Sequence, residues 1–239
     1  MTNIPDHNLY SARPGSSVIK SDFQTVEWGR EANASWLIGK SSNPVFFTAD
    51  GHNARIEDSA RGSSVLIVDN NADINVDLSN VHVWAIGEAI SKYPCKIWTP
   101  KNENHQIKYW NNQSILKLMP LQMARSKRND GKLISHSPNC FYYRRHSSFN
   151  SVFFLQEETI WNDGSDDSGV ISSLQLAIIL GYRKIYIDAK INANTKIYQN
   201  LHNISKLLIE SNINVYSCNG CEIFPCVGIS SACSNCILS

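Results

Sequence analysis

The chain has no long apolar run. Nothing in its 239 residues approaches the roughly 18 consecutive apolar positions that a membrane-spanning helix needs. The opening "MTNIPDHNLYSARPG" lacks the basic-then-apolar order of a secretory signal. A cytosolic location is therefore the expectation. Net charge is almost absent as well, at +1. No global field draws in nucleic acid or a membrane surface, so general nucleic-acid binding is not expected and any anion site must be a local cluster. There is no repeat at solenoid spacing, no low-complexity stretch, no GxSxG elbow and no P-loop GK[ST]. Glycine is missing where it would be most telling. In "SSVLIVDNNADIN", Ser63 to Asn75, four apolar residues run straight into Asp69, Asn70 and Asn71, where a nucleotide-binding fold usually keeps a glycine-rich turn.

What is present is ordinary for a globular chain: 42% hydrophobic and 18% charged residues, which argues against disorder beyond the ends. Short β-branched or aromatic runs predict strands at 44–47, 64–68, 81–86, 95–98, 184–187 and 213–216, each ended by polar or turn residues. Between the last two, "NTKIYQNLHNISKLLIES" carries Ile197, Leu201, Ile204, Leu207 and Leu208 on one helical stripe. A second helix, "SGVISSLQLAIILGY", is apolar on most sides, and Gly181 is placed to end it in a left-handed turn. Helix, strand, helix, strand with short links is the pattern of a parallel sheet covered on both faces, so the class is α/β. Residues 1–40 read as a polar arm lying on the main domain, with Trp28 and Trp36 in need of burial. Residues 41–228 read as the domain proper, and 229–239 as a cysteine-containing tail. The span from about 100 to 160 breaks the strand rhythm and reads as a lid-like insertion over the carboxyl edge of the sheet.

The run "VLIVDNNADINVDLSN", then "VHVWAIGEA", "DSGVISSLQLAIILGYRKIYI" and "NINVYSCNGCEIFPCV", resembles a Rossmann-like superfamily in order and spacing. That superfamily groups bacterial sialyltransferases of the Campylobacter type with hydroxymethylpterin pyrophosphokinase-like and flagellar motility-accessory proteins. A phage-borne branch is the most similar, through "FF-x-x-D" at Phe46 to Asp50 and "W-x-x-x-x-ILK-x-x-P" at Trp110 to Pro120. The resemblance spans residues 44–228 and implies a nucleotide or nucleotide-sugar ligand. It places the family's G-x-G-P-S-L loop at Asp69, Asn70, Asn71, Ala72, Asp73 and Ile74, where only Asn70 agrees with the sialyltransferases. Backbone amides cradle phosphate when the chain can turn tightly, which glycine permits without a Cβ penalty. Asn70 and Asn71 could keep the turn by tolerating left-handed φ, whereas Asp69 and Asp73 would repel phosphate unless Mg²⁺ intervened. The family's second loop falls on Gly87 and Glu88, and Thr99 and Pro100 stand where its third strand ends in carboxylates. Ser168 and Gly169 open the helix as in the family, and Asp188 stands earlier than the closing G-x-D would place it.

Three clusters carry chemistry. Asp163, Asp166 and Asp167 precede a helix, either as caps and dipole partners or as a Mg²⁺ or sugar-hydroxyl site. "FYYRRHSSF", Phe141 to Phe149, offers Tyr143, Arg144 and His146 beside Tyr142 and Arg145, either to hold a departing phosphate or as a strand with alternate residues in solvent. Cys218 and Cys221, with Cys233 and Cys236, form two C-x-x-C pairs that could give four thiolates to one zinc, or remain buried thiols. Three functions follow as expectations. One is glycosyl transfer from a nucleotide-sugar donor held by Asp69, Asn70, Asn71, Asp73, Gly87, Ser168 and Gly169. Another is a non-catalytic binding or assembly module with an altered site. The last is an ATP-dependent pyrophosphokinase using Mg²⁺.

Overall fold

The computed structural model describes residues 45–49, 53, 54, 56, 59–74, 78, 80–146, 160–162, 168–189, 196–218, 224 and 225. The arm at 1–40, the tail at 229–239 and Asp163, Asp166 and Asp167 lie outside the described residues. The strands are β1 (Phe46–Phe47), β2 (Asn53–Ala54), β3 (Ser64–Val68), β4 (His82–Ile86), β5 (Ile97–Thr99), β6 (Leu116–Pro120), β7 (Cys140–Tyr143), β8 (Arg145–His146), β9 (Ile160–Trp161), β10 (Lys184–Asp188) and β11 (Asn214–Ser217). Nine of them form one sheet in the order β11-β10-β3-β4-β5-β6-β7-β1-β2. The seven from β11 to β7 are parallel, and β1 closes that side antiparallel to β7. The chain is thus an α/β protein with an open, mostly parallel sheet. It winds outward from β3 through β7, then returns to lay β10 and β11 on β3's other side. The reversal leaves a switch point between β3 and β10.

Alternation along each strand sorts the core into two layers. Val65, Ile67, Trp84, Ile86, Ile185 and Ile187 face one side, where they meet α2 (Ser168–Ile179) and α3 (Lys196–Glu210) through Leu174, Ala177, Leu201 and Leu208. Leu66, Val68, Val83, Ala85, Trp98 and Met119 face the other. That second layer has no long helix among the described residues. It is closed by α1 (Ile107–Trp110) and by 3-10 turns at Gly87–Ser91, Leu121–Arg125 and Ile134–His136. Both long helices end by one device. Gly181 takes φ +99° after α2, and Tyr182 N–H reaches back to the Ala177 carbonyl at 3.1 Å. Asn212 takes φ +57° after α3, and Ile213 N–H reaches the Leu208 carbonyl at 2.9 Å. These bonds satisfy carbonyls that the last turn leaves open. Among the described residues no helix is long and apolar enough to cross a membrane.

The span expected as a lid contributes β6 and β7 to the middle of the sheet, which corrects that expectation over residues 100–146. Lys117 and Pro120 interrupt the apolar rhythm of β6 and hid it. Lys117 is wholly buried, and its ammonium donates to the carbonyls of Asn112 (2.6 Å), Ile115 (3.2 Å) and Pro138 (2.9 Å). Three donors meet three acceptors, so a charge can lie inside the sheet layer. The "RSKRNDGK" loop is also self-contained. Buried Arg128 donates through Nε and Nη2 to both oxygens of Asp130 (3.1 and 2.5 Å), and through Nη1 to Asn111 Oδ1 and Ser137 Oγ (each 2.9 Å). That pairing holds the Asp130 carboxyl below its ordinary range.

Candidate site at the carboxyl edge

Parallel α/β sheets bind ligands beyond the carboxyl ends of their strands, at the switch point. Here that place lies between Val68 and Asp188, which are paired in register. The loop leaving β3 folds on itself. Asp69 Oδ1 accepts the Asn71 N–H at 2.8 Å, and the Asp69 carbonyl accepts that of Ala72 at 3.2 Å. Asp73 N–H donates to Asp188 Oδ2 (3.3 Å), and Ile74 N–H to the Tyr93 hydroxyl (3.4 Å). Tyr93 in turn donates to the Ala72 carbonyl at 2.7 Å, and Lys92 Nζ to that of Asn70 at 2.5 Å. Four successive amides, Asn71 to Ile74, are therefore committed within the protein. A phosphate cradle needs such groups pointed outward at the ligand. The expected left-handed turn is also absent, since Asn139 and Asn212 are the only described non-glycine residues with positive φ. An Asx turn reverses the chain at Asp69, and neither asparagine needs the left-handed region.

Asp188, which the sequence showed only as a misplaced motif residue, is the buried member of this edge at 6% exposure. Burial raises its pKa, the neighbouring charges of Asp69 and Asp73 raise it further, and the Asp73 N–H partly offsets them. Stability from this group is fully present below the ordinary carboxylate pKa of 3.8 and is lost as pH rises through the raised folded value. Asp188→Asn keeps an acceptor for Asp73 N–H and removes the repelled charge. It should be more stable than the parent by on the order of 1 kcal/mol at pH 7, with the gain vanishing near pH 4, as urea unfolding at the two pH values would read. Loss of stability at pH 7 would mean that the carboxylate has a favourable partner.

The other candidates are spread along the same edge. Gly87 ends β4 with φ +58°, and a Cβ there would come within 3.1 Å of the Lys101 side chain. Its carbonyl accepts the Trp98 indole N–H at 2.9 Å. Next to it, Glu88 Oε1 lies 3.0 Å from Nδ1 of His105, a buried ring set edge-on to Trp98 at 4.9 Å between centroids. Burial lowers the His105 pKa and Glu88 opposes the shift. Nothing in polar "PKNENHQ" marked this pair. Gly169 stands in the first turn of α2, where a Cβ would meet Ile86 Cγ2 at 3.1 Å, so the helix start packs tightly on the end of β4. Ser168 begins that helix.

The aromatic and basic segment divides. All four residues of β7 are buried, which corrects the expectation of a strand with alternate residues in solvent. Tyr143 is a core residue beside Ser172 and Asn162, its phenol pushed further up by burial, and does not present its hydroxyl at the surface. Tyr142 is equally buried. Arg144 is exposed with its guanidinium over the Phe47 ring at 4.9 Å, and His146 lies in β8. Four strand spacings separate β7 from β3, about 19 Å at 4.8 Å each, so Arg144 and Asp69 are not one compact site. Cys218 follows β11, its N–H on the Ile187 carbonyl at 2.9 Å. Cys221, Cys233 and Cys236 lie outside the described residues, and among the described residues no three His, Cys, Asp or Glu side chains converge as a metal site requires. No family model, curated protein or solved structure matches the chain.

Proposed function

We propose that this chain is a Rossmann-like binding or assembly module whose first loop has ceased to be a phosphate cradle. The supporting observation is the run of four loop amides, Asn71 to Ile74, bound to Asp69, Asp188 and Tyr93. Carboxylates at the switch point add like charge where a nucleotide diphosphate would sit. Titration calorimetry with CMP, CMP-sialic acid, UDP-glucose and ATP, each with and without Mg²⁺, tests the reading. The expected result is affinity weaker than about 1 mM for all of them. Micromolar binding together with turnover of any one would overturn it.

A second reading, glycosyl transfer from a nucleotide sugar, draws support from the same carboxylates. Asp69, Asp73 and Asp188 are acceptors suited to sugar hydroxyls. The pyrophosphokinase reading requires Mg²⁺ held by these acidic groups. Zinc analysis of the purified chain addresses the separate proposal for Cys218, Cys221, Cys233 and Cys236.

A further inference from the structure

A groove of about 1300 Å³ runs along the amino edge of the sheet, opposite the switch-point loop and on the layer that, among the described residues, is closed by short turns. A small molecule fills roughly 300–1,000 Å³, so this volume suits a length of chain better. Val83, Ile90 and Ile115 form its floor, and the half-buried side chains of Leu78, Tyr93 and Tyr109 keep apolar surface open above it. Tyr93 is held through its hydroxyl, which is bound to Ala72 and Ile74, so its ring offers a fixed face to a second aromatic. A parallel sheet is ordinarily covered on both faces, and the first layer has α2 and α3 for that purpose.

The chain holds six tryptophans. Trp84, Trp98, Trp110 and Trp161 are each at most 2% exposed, which leaves Trp28 and Trp36 of the arm, outside the described residues. We propose that the arm docks in this groove, with the Trp28 and Trp36 indoles against Val83, Ile90, Tyr93 and Ile115. Its point of attachment allows this. Phe46 pairs antiparallel with Tyr143, so the arm joins β1 at the carboxyl end of β7. From there the β5 end of the groove lies three strand spacings across and one strand length back, a diagonal of about 20 Å. The ten residues from Trp36 to Phe46 reach up to about 33 Å, and Trp28 has eight more. Burial of two indoles supplies the apolar contact that offsets the entropy of ordering the arm. The groove stands apart from the switch point, so its occupant does not depend on whether a nucleotide binds there.

The test uses the full chain with photoreactive p-benzoylphenylalanine in place of Trp36, prepared as a mixture of isotopically light and heavy copies. Irradiation should join position 36 to peptides of residues 78–115 within one chain, as peptide mass mapping would read. Adducts that fall mainly on α2 or α3, adducts between light and heavy copies, or no adduct overturn the proposal. Access to Cys95, another lining residue, gives a second measurement. Trp28→Ser together with Trp36→Ser should raise its alkylation by N-ethylmaleimide about tenfold, while that of buried Cys140 stays unchanged. A Cys95 rate indifferent to the double substitution overturns the proposal as well. If Cys140 also becomes reactive, the fold has loosened and the cross-link in the otherwise unaltered chain decides.

Discussion

Lys117→Ala is expected to lose roughly 3–5 kcal/mol of stability, enough to unfold a large share of an ordinary domain at physiological temperature. Two losses combine. The wholly buried alkyl stem leaves a cavity, and the carbonyls of Asn112, Ile115 and Pro138 lose their common donor. Lys117→Met fills most of the space and restores none of the hydrogen bonds, so it should fall between parent and alanine variant in urea titration. The lysine also has a pH signature. Burial lowers its pKa from 10.5 to about 8, with the nearby Cys140 and Cys95 opposing the shift. Above pH 8 the folded protein has released a proton that the unfolded chain still holds, so stability rises with pH from about 8 towards 10.5, by roughly 3 kcal/mol in all. Cys140, raised to about 11, and Cys95 pull the other way above pH 9, because their stability is lost as pH climbs through the raised values. Subtracting Lys117→Met from the parent isolates the lysine. A difference that stays flat between pH 8 and 10 would show that the ammonium carries no burial penalty.

Arg128→Ala should be the next most damaging change, at about 2–4 kcal/mol, because the guanidinium holds Asn111, Ser137 and Asp130 together and is itself only 4% exposed. Arg128→Lys should rescue little of it. An ammonium cannot reproduce the two-pronged contact with Asp130 while also reaching the other two oxygens. The Asp130 carboxyl is depressed, so the pair's contribution is present above its ordinary pKa and lost as pH falls through the folded value. Thermal melts of parent, Ala and Lys variants from pH 7 downward into acid should show the gap narrow as Asp130 takes up its proton. A lysine variant as stable as the parent would mean that charge alone matters there.

Six strands were legible because each is a short apolar run with clear ends, and β3 falls on 64–68 as expected. β6 was not, since "LKLMP" places a charge and a proline in its five residues, and the lysine is tolerable only because the folded chain turns the carbonyls of Asn112, Ile115 and Pro138 onto its ammonium. β7 was taken for part of a lid because basic residues follow it directly. Its four buried side chains depend on β6 and β1 lying on either side, which no local pattern reveals. At the candidate site Asp69 was legible as the turn that follows the apolar run of β3, and the resemblance pointed to Gly87 after β4 and Gly169 at the start of α2. The role of Asp188 did not, because it arises from a loop 115 residues away turning its amide towards the carboxylate. The Glu88–His105 contact escaped for a similar reason: burial of the His105 ring against Trp98 and Trp110 is a tertiary property.

The reversal that makes the switch point also divides the assembly of the sheet in time. From β3 to β7 each strand pairs with the next in sequence, whereas Ser64 meets Lys184 across 120 residues. Closing that longer span costs more chain entropy and comes later. Pulse-labelled hydrogen exchange during refolding should therefore protect β4 and β5 before β10, and simultaneous protection would refute the order. The seam that closes last is therefore the one where Asp69 and Asp188 meet, so the candidate crevice takes shape only when the two halves of the sheet join.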